Sequence, residues 1–195
     1  NLTLNSADEA TQAVFVGELT VNGTVDFETF HVSQSGGVTG VAKLNLNSGA
    51  TLITANSGGV DGSVSSTNMT RTLSSGANYN FNGTVAQNTS AGMPATVNSL
   101  TLSNPSGVTV SKATTVTNNF SIGSGTVANL GTFTHSANTL TLGNFVTSSG
   151  SWGSTSSSAT NKNNTFFAGT YGIVNITTTT CTPGNWVGVT STDWN

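Results

Sequence analysis

Three short segments of this chain repeat one small pattern at a fixed interval. In NSLTLSN (98–104), NNFSIGS (118–124) and NTLTLGN (138–144), Leu100, Phe120 and Leu140 lie 20 residues apart, as do Leu102, Ile122 and Leu142. Each triplet alternates apolar, polar, apolar, which is the period of a β-strand with one buried face. An interval of that size suits one turn of a stacked coil made of two or three short strands and their corners. The expected fold is therefore all-β, a parallel β-helix or β-solenoid with coils of about 20 residues. The alternative is an antiparallel β-sandwich, in which turn signals recur about every 8–12 residues.

The same alternation occurs at Leu2-Thr3-Leu4, Leu19-Thr20-Val21, Leu44-Asn45-Leu46, Tyr79-Asn80-Phe81 and Val108-Thr109-Val110. Gly, Asn and Ser clusters such as NSGA and NPSG separate these runs and supply turn chemistry. The repeat is clearest over 79–146. Upstream, the triplets at Leu2, Leu19 and Leu44 fall 17 and 25 apart, so coil lengths vary there. The expected organisation is a repeat region over 1–146, a polar low-complexity loop over 147–164, and terminal strands opening a further module over 165–195.

Stacked coils explain an unusual composition. Thr, Ser and Asn fill 86 positions, whereas charged residues make up only 6% of the sequence, against about a quarter in ordinary domains. Equivalent side chains in a stack stand over one another, and like charges so placed repel. Asn, Thr and Ser can stack instead, and Asn also tolerates the left-handed backbone of tight corners. Asn98, Asn118 and Asn138 are accordingly expected to form a corner ladder. Thr101, Ser121 and Thr141 would form an outward row, and Leu100, Leu102, Phe120, Ile122, Leu140 and Leu142 the core.

The segments GNWVGVTSTDWN (184–195) and YNFNGTVAQNTSAGMPATVNSLTLSNPSGVTV (79–110) carry a family resemblance. Both resemble repeats of secreted, adhesin-like surface proteins of Bacteroidetes bacteria. In the second segment the shared positions are Tyr79, Phe81, Gly83, Gln87, Pro94, Thr96, Val97, Leu100, Thr101, Leu102 and Asn104. The likeness covers about 79–146 and 165–195. It implies a β-solenoid, export by the type IX secretion machinery, and a place at the cell surface in adhesion or filament formation. No sorting domain of that family follows Asn195, and NLTLNSADEA is not a signal peptide, so the sequence is expected to be a piece of a longer protein.

Little in the sequence points to chemistry. The best enzymatic candidate is VDFETFH (25–31), where Asp26 and Glu28 would share a strand face about 7 Å apart, within the range used by paired-carboxylate glycosidases. His31 would fall on the other face, and Arg71 is the one arginine available as a base beside Lys43, Lys112 and Lys162. His31 and His135 are isolated, and Cys181 stands alone, so neither a metal nor another cofactor is expected. Trp152, Trp186 and Trp194 are weak ligand-binding candidates, since indole faces stack on sugar rings. With a net charge of -3 and four basic residues, no nucleic-acid footprint exists. No apolar run approaches the roughly 18 residues of a membrane span.

The leading expectation is thus a non-catalytic, extracellular, structural or adhesive solenoid segment. It would contact glycans or other cell-surface components and could associate end to end, since unpaired strand edges invite stacking. A polysaccharide-active enzyme is one alternative. An ice- or mineral-binding surface is another, and would need two adjacent exposed Thr columns where the sequence reveals one.

Overall fold

A computed structural model describes residues 2–3, 12–14, 17–34, 42–67 and 69–178. The described residues are all-β, 46% strand against 3% helix, and their sheets are mostly parallel. The longest sheet runs through Thr24–Asp26, Thr51–Thr54, Asn78–Phe81, Ser99–Leu102, Thr115–Ile122 and Thr134–Leu142, each strand pairing with the next in parallel. Leu100 stands beside Phe120, and Phe120 beside Leu140. The rungs between Thr101 and Thr141 are 20 residues apart, but Asp26, Ile53 and Asn80 are spaced by 27.

Alternation along each strand sorts side chains to two faces. Inward stand Val25, Leu52, Tyr79, Leu100, Phe120 and Leu140 in one column, none more than 1% exposed. A second inward column runs Thr54, Phe81, Leu102, Ile122 and Leu142, also buried. Thr54 is accommodated there because its hydroxyl meets that of Ser63 at 2.6 Å.

Two further parallel sheets face this core. One joins Glu18–Val21, Ala42–Leu46 and Met69–Leu73, and the other joins Gln87–Asn88, Val108–Thr109 and Ala128–Asn129. Gln12–Val14 pairs with His31–Ser33. The short helix Gly59–Ser63 fills part of the longer interval between Thr54 and Asn78.

Among the described residues, antiparallel pairing is confined to one end. After Gly143 (φ 61) the backbone turns back, and Phe145–Val146 pairs against Thr141 and Leu142. Ile173–Ile176 pairs in parallel with Thr134–Ala137, then antiparallel with Gly150–Gly153. The strand Thr134–Leu142 is thereby covered along both halves of its edge. Residues 147–164, expected as a polar loop, instead carry the strands Gly150–Gly153 and Asn161–Lys162, which pair with one another. Of the terminal segment, 165–178 is described and includes Ile173–Ile176; the expected start of a further module lies outside the described residues. Among the described residues no helix is long and apolar enough to cross a membrane.

Candidate functional site

The outer face of the longest sheet is the candidate surface. Thr101, Ser121 and Thr141 stand in line, each half-buried, and the row continues backward through Asn80, Ile53 and Asp26. Two residues earlier on the same strands lies a second outward column, with Thr24, Thr51, Asn78 and Ser99 in register and then Asn119 beside Thr139. A third column links Thr96, Thr115, Ser136, Asn175 and Ser151 across parallel and antiparallel pairs alike. Apart from Ile53 and Asp26, every position in the three columns is Thr, Ser or Asn.

Hydrogen bonds tie the columns together. Asn119 Oδ1 accepts from the hydroxyls of Thr139 at 2.9 Å and Thr141 at 3.1 Å. Ser136 Oγ donates to Thr115 Oγ1 at 3.2 Å, and Ser103 Oγ to Asn80 Oδ1 at 3.0 Å. A hydroxyl or carboxamide offers both donor and acceptor sites, so pairing within the face leaves each group able to engage a ligand as well. A recess of about 260 Å³ opens where Thr115, Thr117, Ser136, Asn138 and Thr177 meet.

The expected asparagine ladder is not formed. Val97 pairs with Val116 and Leu100 with Phe120, so three residues of the middle strand oppose two. On its other side Val116 pairs with Ala137 and Asn119 with Thr139, so two residues oppose one. This β-bulge swings Asn118 out of line, and its amide lies 3.4 Å from Ser99 Oγ. Asn98 instead donates to Asn78 Oδ1 at 2.7 Å, and Asn138 Oδ1 accepts from the Thr178 hydroxyl.

The paired carboxylates are also corrected. Asp26 ends its strand, and its carboxylate accepts the Glu28 backbone N–H at 2.8 Å. Glu28 takes a left-handed backbone (φ 48) in the turn that buries Phe27. The two acids therefore form an Asx-type turn rather than sharing a strand face. His31 Nδ1 lies 2.7 Å from the Gly62 carbonyl.

Arg71 occupies an inward position above Leu44. Its guanidinium donates to Asp61 and, at 2.8 Å, to the Val64 carbonyl. Asp61 also accepts from Gly92 N at 2.9 Å. Burial works to raise the Asp61 pKa, but the Arg71 and Gly92 hydrogen bonds and the Arg71 charge outweigh it and hold the carboxyl below its ordinary range. This ion pair clamps the helix Gly59–Ser63 to the strand Met69–Leu73 and the loop at 90–92. Sequence reading missed the clamp, because no spacing rule links residues 61, 71 and 92.

Trp152 is half-buried, packs against the core, and donates its indole N–H to Ser148 O at 3.0 Å. Its ring thus serves packing more than an open platform. Trp186 and Trp194 lie outside the described residues. Gln87 and Asn104, noted only in the shared pattern, form a buried hub. Gln87 Oε1 accepts from Gly83 N and Asn104 Nδ2, while its Nε2 donates to the carbonyls of Thr54 and Asn56. Among the described residues no group of three or more His, Cys, Asp or Glu side chains is gathered as metal ligands would be. No family model matches the sequence, and neither a curated protein nor a solved structure matches it.

Proposed function

We propose that this protein is a non-catalytic, extracellular structural and adhesive segment of a bacterial surface protein, wound as a parallel β-solenoid and contacting neutral glycans through its outer polar face. The observation that carries the reading is the set of three outward Thr/Ser/Asn columns, in register over successive strands. Successive parallel rungs at intervals of 20 to 27 residues support the solenoid winding. The resemblance to Bacteroidetes surface repeats supports export by the type IX route and surface placement. Glycan hydroxyls donate and accept hydrogen bonds, and so do the hydroxyls and amides of the columns. An anionic ligand would want cations that the columns do not contain.

The test is an array of neutral and acidic polysaccharides, read for binding and for released product, with negative-stain images of the same preparation. Binding to neutral glycans without product is expected. It should be lost in the Thr101→Arg variant, a single charge with no like charge beside it in the column, whose melting should stay close to the parent's. Product release would restore the polysaccharide-active enzyme. Absence of binding by folded protein would remove the adhesive role, and long end-to-end fibres would then favour a filament subunit.

The second outward column gives the ice- or mineral-binding alternative one supporting observation. Yet Thr stands in both neighbouring columns only on the strand bearing Thr139 and Thr141. Elsewhere the paired positions mix Asn, Ser, Ile and Asp side chains of unequal length, which roughens the face against a lattice. Absence of thermal hysteresis is the expected result.

A further inference from the structure

The sequence holds Asn22–Gly23 and Asn82–Gly83, two copies of one dipeptide in contrasting surroundings. We propose that Asn22, and not Asn82, is a site of spontaneous backbone-assisted deamidation, giving aspartate and isoaspartate at this corner. The reaction needs only water. Gly23 N, losing its proton to solvent, attacks Cγ of Asn22, and the bond from Cγ to Nδ2 breaks to release ammonia. Water then opens the resulting succinimide at either carbonyl. One opening gives an ordinary Asp; the other routes the backbone through the side-chain carboxyl.

Three observations separate the two sites. Asn22 and Gly23 are exposed in the link between Glu18–Val21 and Thr24–Asp26, and no atom of the described residues lies within 4 Å of where a Gly23 Cβ would stand. Asn47 Nδ2 donates to Asn22 Oδ1 at 2.7 Å, on the oxygen that becomes negative as the ring closes; a donor already aimed at a developing oxyanion lowers the barrier. At the second site Gly83 N, the would-be nucleophile, donates to the buried Gln87 Oε1 at 2.8 Å. Gly83 is also crowded, with Ala55 O only 2.8 Å from a built Cβ. That amide must break a buried hydrogen bond before it can attack.

The product would matter locally. A new carboxylate would appear in a protein with only 7 acidic residues, and the isoaspartyl form would lengthen the backbone by one methylene between two strands of different sheets.

The intact protein, held in heavy-oxygen water at neutral to mildly alkaline pH, would be peptide-mapped by mass spectrometry over time. Label should enter Asn22 at least about tenfold faster than Asn82, since a buried hydrogen bond must open at the slower site. Asn47→Ala should slow conversion at Asn22 severalfold and leave Asn82 unchanged. In denaturant the two rates should converge. Equal rates in the folded protein, faster conversion at Asn82, or an inert Asn22 in the folded protein would each overturn the proposal.

Discussion

Gly59 shows how closely single residues are held. Its backbone is left-handed (φ 62), and a Cβ would stand 2.0 Å from the Asn88 carbonyl oxygen. Gly49 is equally left-handed (φ 80), but a Cβ there would have no atom of the described residues within 4 Å. Gly49→Ala should cost only the backbone term, about 1–2 kcal/mol. Gly59→Ala should cost well beyond that, because a backbone atom must move. Urea denaturation of both variants checks the contrast, and equal losses would refute it. Tyr79 presents the opposite case. Its hydroxyl is buried without a hydrogen-bond partner among the described residues, and burial pushes its pKa up despite the nearby Arg71 charge. Tyr79→Phe removes an unpaired polar group and leaves no cavity, so stability should hold or rise by about 1 kcal/mol. A clear fall in midpoint would reveal a partner for that oxygen.

At the scale of elements, the strand Thr115–Ile122 carries one residue more than either neighbour between its inward positions Val116 and Phe120. Deleting Asn118 would bring it into step on both sides, so cooperative folding should survive. Deleting Ser121 would turn Ile122 out of the core, since a one-residue slip reverses every later side chain; loss of the melting transition is expected. Calorimetry of the two deletions distinguishes them. That extra residue also explains what could be read in advance. Leu100, Phe120 and Leu140 were legible because the strands holding them keep one spacing. Asn118 shares their 20-residue interval yet leaves its row, because an interval does not reveal a bulge. The column through Thr24, Thr51 and Asn78 stayed hidden because its interval is 27 and not 20; between Thr51 and Asn78 the helix Gly59–Ser63 and its flanking turns occupy part of the added length. Asp26 and Glu28 have strand spacing in the sequence, but the turn that buries Phe27 places them in a local hydrogen-bonded loop.

For the molecule as a whole, few charges leave few titrating groups to govern stability. Burial lowers the His135 pKa, partly offset by the Leu130 carbonyl, and Thr114 N donates to its Nδ1 at 3.3 Å. The unfolded state therefore takes up that proton first, and stability should fall as pH drops below about 6.5 toward the depressed folded value. Asp61, also depressed, should withdraw its contribution only as pH falls below about 3.8. Denaturation profiles against pH should show both steps, with Asp61→Asn abolishing the lower one. The midpoint at neutral pH should barely respond to sodium chloride, since screening has little to act on. The parallel register has a mechanical corollary. Backbone hydrogen bonds cross from strand to strand, so a pull across the sheet places its interfaces in series, each bearing the whole load. The junction between Thr134–Ala137 and Ile173–Ile176 has four registered pairs where Thr115–Ile122 against Thr134–Leu142 has six. Of these two junctions the former should yield first under tension, so Ile173–Ile176 should part from Thr134–Ala137 before Thr134–Leu142 parts from Thr115–Ile122.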